Sequence, residues 1–294
     1  MKQDIINIAK NNIIAKKREA EREYNERMKP LRQNPKFDEL EKSYTRLLIE
    51  NARKEALGEK TDKDEENKLK QKLDQCKQKF GLDHVNYSCK ICNDSGMVNG
   101  QFCSCLKKEI SSLLLKNSGF ENLEDFKNAK FSSETTKLFY DKMKQWCESD
   151  FKKNLILISG STGVGKTYLI KCMANELLER GKVLKISTAY AMNQDFQNFY
   201  KKKDDSFLQK YLEVEILFID DFGAEPFYKN VTEECFYLTI NERKMKRLPT
   251  IITTNLTLDD IRARYGERIY SRIVDRQTSI NFFLVGDDLR TKKF

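Results

Sequence analysis

At 294 residues the chain has room for about two domains of roughly 150 residues each and for a sizeable buried core, which excludes a miniature disulfide scaffold. Lys and Arg number 54 against 45 Asp and Glu, a formal net charge of +9, with 34% charged and 39% hydrophobic residues, a balance suited to a soluble protein that binds a polyanion. No apolar run approaches the roughly 18 to 20 residues needed to cross a bilayer, and residues 1 to 12 lack a signal peptide's apolar stretch and small-residue cleavage site, so neither membrane insertion nor secretion is expected and the cytoplasm is the expected location.

The first 80 residues hold 21 Lys or Arg and 16 Asp or Glu, a density of charge that the rest of the chain does not match. Apolar residues recur there at helical spacing: Leu40, Tyr44, Leu47, Leu48, Ala52 and Ala56 form one stripe, and Leu69, Leu73, Cys76 and Phe80 another. Pro30 and Pro35 separate these helices from an earlier one, about Asp4 to Lys29, whose apolar residues thin out after Ile13. The pattern predicts a helical hairpin or three-helix unit over residues 1 to 80 that gains stability from a partner or from self-association.

The next segment, 81 to 118, carries Cys89-Lys-Ile-Cys92 and Cys103-Ser-Cys105 with Gly96 and Gly100 between them. With no export signal the cysteines belong to a reducing compartment, where close pairs are more often metal ligands than disulfides. A Cys-x-x-Cys turn places two thiolates on one zinc, and the glycines allow the chain to reverse so that a second pair completes a tetrahedron. Cys-x-Cys is a less usual second pair, so Cys76 or His84, the one histidine of the chain, is an alternative ligand. Four thiolates make a closed structural site, expected to fold this module rather than to do chemistry.

From residue 119 to the end the pattern is that of a three-layer α/β domain, with strands near 155, 183, 215, 250 and 280 and helices between them. Gly160-Ser-Thr-Gly163-Val-Gly165-Lys166-Thr167 matches G-x-x-x-x-G-K-[ST] at every fixed position, after an apolar strand and before an amphipathic helix. Gly160, Thr162, Gly163, Val164, Gly165, Lys166, Thr167 and Tyr168 are therefore the expected nucleotide-contacting residues. Backbone N–H groups turn toward the phosphates, Lys166 reaches the β and γ oxygens, and Thr167 ligates Mg²⁺.

A P-loop needs an acidic strand end, and Val214 to Asp221 supplies one: Asp220 is expected in the Mg²⁺ shell, with Asp221 polarising the attacking water. A third strand ends in Thr253-Thr254-Asn255, where Asn255 is placed to orient that water or touch the γ-phosphate. These strand ends fall where open parallel sheets bind ligands. No Asn-Lys-x-Asp motif follows, which argues against a GTPase, and no second substrate site supports a metabolic kinase.

Together with the charged helical start and the Cys-x-x-Cys-x-Asp-x-Gly segment, the P-loop, Ile-Asp-Asp-Phe-Gly-Ala-Glu-Pro (219 to 226), Thr-Thr-Asn-Leu (253 to 256) and Tyr-Gly-Glu-Arg-Ile-Tyr-Ser-Arg-Ile (265 to 273) make the chain resemble the bacterial replicative helicase loaders of the DnaC/DnaI type. The resemblance is most specific over roughly 150 to 275; residues 1 to 80 match in character alone. It implies an AAA+ P-loop fold that binds ATP between neighbouring subunits, ATP-dependent self-association, and single-stranded DNA and a ring-shaped replicative helicase as partners. The family's trans-acting arginine finger would fall on Arg272, with Arg268 second; an ordinary i, i+4 surface pair is the other reading of these two. Arg290 stands where a nucleotide-sensing arginine is found in the family, and the sequence stops four residues later, so no helical lid is expected.

For DNA the sequence offers composition rather than a motif. Phe196, Phe199 and Tyr200 followed by Lys201 to Lys203 combine base-stacking rings with phosphate-attracting charge, or are a helical core with a solvated basic end. Any such binding is expected to be independent of sequence and sensitive to salt. Besides a helicase-loading ATPase, the same residues suit a transposition-regulator ATPase of the IstB type acting on duplex DNA, or an adaptor using its nucleotide site as a binding switch; the zinc segment favours the loader.

Overall fold

The computed structural model describes residues 3–82, 84–116, 120, 122–131 and 133–285; Arg290 lies outside them. The chain divides into two compact units, Asn11–Gly96 and Met97–Phe294 with Met1–Lys10. Among the described residues no helix is long and apolar enough to cross a membrane.

Three helices, α1 (Gln3–Arg32), α2 (Pro35–Ala56) and α3 (Lys63–Lys79), supply the helical part of the first unit. Pro30 sits inside the last turn of α1 rather than beyond it, and Pro35 opens α2 at the first helical position, where its missing N–H costs nothing. Asn34 caps α2 by accepting from the Lys36 N–H, and Asp62 caps α3 by accepting from the Glu65 N–H. The buried Asn51 amide donates to the Asp62 carbonyl and the Glu66 carboxylate and accepts from the Asp62 N–H, so α2 grips the start of α3. A small core forms from Met28, Leu31, Phe37, Leu73 and Leu82, with Tyr24, Leu40 and Tyr44 against it. Of the rest of the predicted stripes, Leu47, Leu69 and Cys76 are half-buried, Cys76 against this core, whereas Leu48, Ala52, Ala56 and Phe80 are exposed.

The second unit opens with a hairpin of β1 (Met97–Val98) and β2 (Gln101–Phe102), turned by Asn99 and Gly100, both at positive φ as a tight two-residue reversal requires. Helix α4 (Ser104–Leu115), a short 3₁₀ turn (Phe126–Asn128) and α5 (Glu134–Cys147) lead into the main sheet. Its elements follow as β3 (Leu155–Gly160), α6 (Lys166–Glu179), β4 (Leu184–Thr188), α7 (Ala189–Lys202), α8 (Ser206–Leu212), β5 (Ile216–Phe222), α9 (Thr232–Met245), β6 (Thr250–Thr254), α10 (Leu258–Ile273) and β7 (Ser279–Leu284). All five strands run parallel in the order β4-β5-β6-β3-β7. Every residue of β3 is buried, as a strand covered on both faces must be, and its apolar run shows no alternation for that reason. This is the AAA+ three-layer arrangement expected from the sequence.

The strand order decides the site. β6 lies between β3, which carries the P-loop, and β5, which carries the acidic pair, so the carboxyl end of β6 faces both. Below it, the fully buried Arg243 of α9 donates to the Tyr211, Val214, Glu215 and Pro249 carbonyls and to the Thr250 hydroxyl. Those oxygens belong to the end of α8 and to the segments entering β5 and β6, and the Pro249 carbonyl accepts from the Leu217 N–H as well. Burial pulls the Arg243 guanidinium down to about 9, which leaves it charged at neutral pH.

Candidate nucleotide site and cysteine cluster

The turn between β3 and α6 is closed by Gly165, whose φ of +95° is a left-handed conformation that a β-carbon would oppose. No side chain caps α6, so its first N–H groups are left to an anion, and the helix dipole favours one there. A cavity of about 610 Å³ opens over this turn, lined by Thr162, Gly163, Gly165, Lys166, Thr167 and Tyr168 of the loop and helix, by Asp221 and Asn255, and by Asn128, Lys130 and Tyr140. The last three are contributions that sequence reasoning missed. Asn128 and Lys130 carry no recognisable spacing. Tyr140 is buried in α5 and donates from its hydroxyl to the Gly165 carbonyl at 3.1 Å, bracing the loop from behind.

Lys166 is itself buried, and its ammonium donates to the Gly160 and Ser161 carbonyls at 2.8 Å each and to Asn255 Oδ1 at 2.7 Å. A buried charge requires such oxygens, and here they belong to the loop and to the end of β6. The structure thus brings Asn255 to Lys166 through its amide oxygen.

Thr167 donates from Oγ1 to both oxygens of Asp220, at 3.3 and 3.0 Å. Thr253 of β6 donates to the same carboxylate from the other side. Burial pushes the Asp220 carboxyl above its ordinary range, against the Thr253 and Thr167 hydrogen bonds that favour the charged form. A hydroxyl and a carboxylate at this separation are the hard-oxygen pair that Mg²⁺ takes from a protein while phosphate and water complete its octahedron. The residues therefore fit the ion.

Asp221 owes its place to an irregularity. Ile219 pairs with Ile252 and Phe222 with Thr254, so Asp220 and Asp221 together face Thr253 alone, a β-bulge. In a regular strand the two carboxylates would point to opposite faces. The bulge puts Asp221 at a φ of +54° and hydrogen-bonds its N–H to Thr253 Oγ1 at 3.1 Å, while its side chain lines the cavity. The loop that follows is anchored by the buried Glu225, which accepts from the Gly223 N–H at 2.9 Å and from the Tyr265 hydroxyl of α10.

Arg268 and Arg272 lie on the last turns of α10, beyond a break at Gly266, whose φ of +77° and extended ψ interrupt the helix. Neither is among the residues lining the cavity. Glu267 pairs with Arg262 rather than with either of them. Of the ring-and-lysine run considered for DNA, Phe196 is fully buried against Tyr211 and Phe236, so it is core and is unavailable to a base. Tyr200 is partly exposed and donates to Glu234.

Away from the nucleotide cavity, the sulfurs of Cys89, Cys92, Cys103 and Cys105 all lie within 4.8 Å of one another. Tetrahedral zinc with sulfur at about 2.3 Å sets its ligands about 3.8 Å apart, so the four thiols fit one ion. Among the described residues neither Cys76 nor His84 joins the group. The Cys-x-Cys spacing works because Cys103 is the N-cap of α4 and Cys105 falls in its first turn, where the chain curls both sulfurs inward and the helix dipole favours thiolate. The buried Asp94 holds the first pair by accepting from the Ser88 and Cys89 N–H groups at 2.8 Å each. Its only sequence signal is the position two residues after Cys92.

Residues 110–288 match the family profile described as IstB-like ATP binding protein. The chain is 34% identical over 121 residues to the chromosomal replication initiator protein DnaA of Campylobacter fetus subsp. fetus, covering 40% of this chain and 27% of that one. It is 29% identical over 156 residues to the replicative helicase loader DnaC of Escherichia coli strain K12, covering 50% of this chain and 62% of that one. It thus spans about a quarter of the DnaA relative's length and three-fifths of DnaC's. In structure it is similar to the crystal structure of the DnaC helicase loader, with a TM-score of 0.50 at 20% identity over 55% of this chain and 96% of that one, a likeness of fold. Because the matched profile spans more than half of the chain and takes in the whole parallel sheet, the P-loop and the acidic pair, the chain belongs to the IstB-like ATP-binding proteins.

Proposed function

We propose that the protein is an ATP-hydrolysing loader of a replicative DNA helicase, active in the cytoplasm at the initiation of DNA replication. The observation that carries the enzymatic part is the convergence of Lys166, Thr167, Asp221 and Asn255 on one cavity at the carboxyl edge of the sheet, with the buried Asp220 hydrogen-bonded to Thr167. A pure binding switch needs the cradle and the cation; it has no use for a second carboxylate held at positive φ beside it. The similarity to a replicative helicase loader over half of the chain, and the cysteine group beside the helical region, favour loading.

In this reading Lys166 exchanges its loop carbonyls for β and γ phosphate oxygens, and Thr167 and Asp220 hold Mg²⁺. The ion supplies charge neutralisation at the phosphates. Asp221 accepts the proton of the attacking water as the water oxygen closes on the γ phosphorus, the bond from that phosphorus to the β,γ-bridging oxygen breaks and ADP leaves with the electron pair, and the Asn255 amide orients that water or the phosphate. Arg272, and Arg268 beside it, stabilise the charge that develops on the γ-phosphate of a neighbouring subunit, which explains their absence from their own cavity and ties hydrolysis to self-association. Residues 1 to 80 bind the helicase, 81 to 118 form the zinc-held module, and 119 to 294 are the ATPase domain that meets single-stranded DNA without base readout. The family's own description supports a second reading, an IstB-type regulator of transposition acting on duplex DNA.

The two readings separate on mixing the full chain with the host's replicative helicase, with and without ATP, and measuring the mass of the complex by light scattering. A stable complex that is lost on deleting residues 1 to 118 is expected. No complex in either nucleotide state contradicts loading and leaves duplex DNA as the ligand to test.

At the nucleotide site, Lys166→Ala is expected to weaken ATP binding by about tenfold to a hundredfold, the size of charge-assisted hydrogen bonds worth about 1.5–3 kcal/mol. Asp221→Asn keeps ATP affinity and slows turnover by about 10² or more, the usual share of a general base. Equilibrium binding of a fluorescent ATP analogue and steady-state phosphate release check both, and normal turnover by the Asp221 variant removes it from the reaction. For the metal, Cys92→Ser should release about one equivalent of zinc per chain and loosen the module, read by metal analysis and circular dichroism. Full retention of zinc would contradict the ligand set.

A further inference from the structure

Beyond the break at Gly266, the two arginines of α10 are gathered by one tyrosine of α9. The guanidinium carbon of Arg268 lies 4.0 Å from the Tyr237 ring centroid and that of Arg272 lies 5.7 Å from it. Arg272 also donates from Nη2 to the Tyr237 hydroxyl at 3.4 Å and from Nε to Asn241 Oδ1 at 2.9 Å. Two cations one helical turn apart repel each other. An aromatic face under one, and three oxygen acceptors on the other, Ser271 Oγ being the third at 3.3 Å from Nη1, offset that repulsion and fix both side chains. Stacking engages the flat face of a guanidinium and leaves the N–H donors at its edge to meet an anion. Arg268 is exposed, so its edge is open to a ligand that arrives from outside the chain.

We propose that Tyr237 is a positioning residue for this arginine pair, holding Arg268 and Arg272 in the arrangement that meets the triphosphate bound by a second copy of the chain. The inference rests on the reading of these arginines as acting between subunits. A long, mobile side chain recruited at the moment of reaction must be ordered then; one already stacked and hydrogen-bonded is ordered beforehand, and the stabilisation it gives appears in the transition state. The same contacts are felt by the tyrosine: hydrogen bonding from Arg268, and the charges of Arg272 and Arg268, hold its phenol below its usual pKa. Asn241 shares the task by fixing the Nε edge of Arg272.

Subunit mixing tests the proposal. A donor carrying Lys166→Ala keeps its arginines and lacks a working nucleotide site; an acceptor carrying Arg268→Ala and Arg272→Ala keeps the site and lacks the arginines. Mixed, the two are expected to recover hydrolysis that neither shows alone. Adding Tyr237→Ala to the donor should then lower the recovered kcat by about tenfold or more, the usual cost of a misplaced catalytic group, with KM for ATP unchanged. The same substitution in the acceptor should leave the recovered rate as it was. Tyr237→Phe in the donor keeps the ring and is expected to retain most of the rate, while Tyr237→Leu keeps bulk without the aromatic face and should behave as the alanine variant, in case the latter folds poorly. No recovery in the parent mixture overturns the between-subunit reading and this proposal with it. Recovery that is insensitive to Tyr237→Ala and Tyr237→Leu in the donor, or equally reduced by them in the acceptor, overturns the role of Tyr237 and leaves the between-subunit reading standing.

Discussion

The site depends on one mismatch in a parallel ladder: two residues of β5, Asp220 and Asp221, stand opposite the single Thr253 of β6. Strand pairing would otherwise send adjacent side chains to opposite faces. Here the extra residue keeps both carboxylates at the carboxyl edge, at the cost of a left-handed backbone at Asp221, a position that costs a residue other than glycine on the order of 1–3 kcal/mol. Thr253 answers both members, donating its hydroxyl to the Asp220 carboxylate and accepting from the Asp221 N–H. Asp is among the residues that tolerate the left-handed region best, so a carboxylate is a side chain the backbone can hold there.

Strand order makes the mismatch useful. Were β5 beside β3, the P-loop and the acids would be neighbours with nothing between them; with β6 interposed, Asn255 and Thr253 reach one to each side, Asn255 to Lys166 and Thr253 to Asp220. The polar network is anchored to buried groups at both ends of the strands. At the amino end Arg243 occupies the carbonyls of the entering segments, and beyond the carboxyl end Glu225 joins the loop after β5 to Tyr265 of α10. The helix that Glu225 touches goes on, past Gly266, to carry Arg268 and Arg272. The acidic pair and the arginine pair are thus built into consecutive parts of one covalent and hydrogen-bonded path.

Much of this is readable in the sequence because parallel strands and phosphate loops leave strong local marks. The five apolar runs become the five strands, and G-x-x-x-x-G-K-T sits at the turn before α6 as its spacing demands. The helical start is also legible, since period and proline positions suffice for α1 to α3, although the stripe overstates burial: Ala52 and Ala56 face solvent. What stays hidden depends on tertiary geometry. In line, Phe196 and Lys201 to Lys203 read equally as a stacking patch or as a helical core with a solvated basic end, and only the helical rotation that sends Phe196 into the core separates the two. The bulge at Asp221 cannot be seen until β6 is placed next to β5. Tyr237 and Asn241 lie about thirty residues from the arginines they hold, with no motif of their own. The Cys-x-Cys pair looked irregular because its sequence context did not show that a helix begins there.

Whether Thr253 organises the two acids for hydrolysis is decided by Thr253→Val, which keeps the shape of the side chain and removes the hydroxyl that both acids use. The measurement is ATP affinity and Mg²⁺-dependent turnover of the variant against the parent, with the far-ultraviolet spectrum as the check of fold. Affinity within a few-fold of the parent and turnover lower by about tenfold or more are expected, since the carboxylates lose the group that holds both. Unchanged turnover with unchanged affinity would contradict that role of Thr253, and would show that the bulge alone sets the acids.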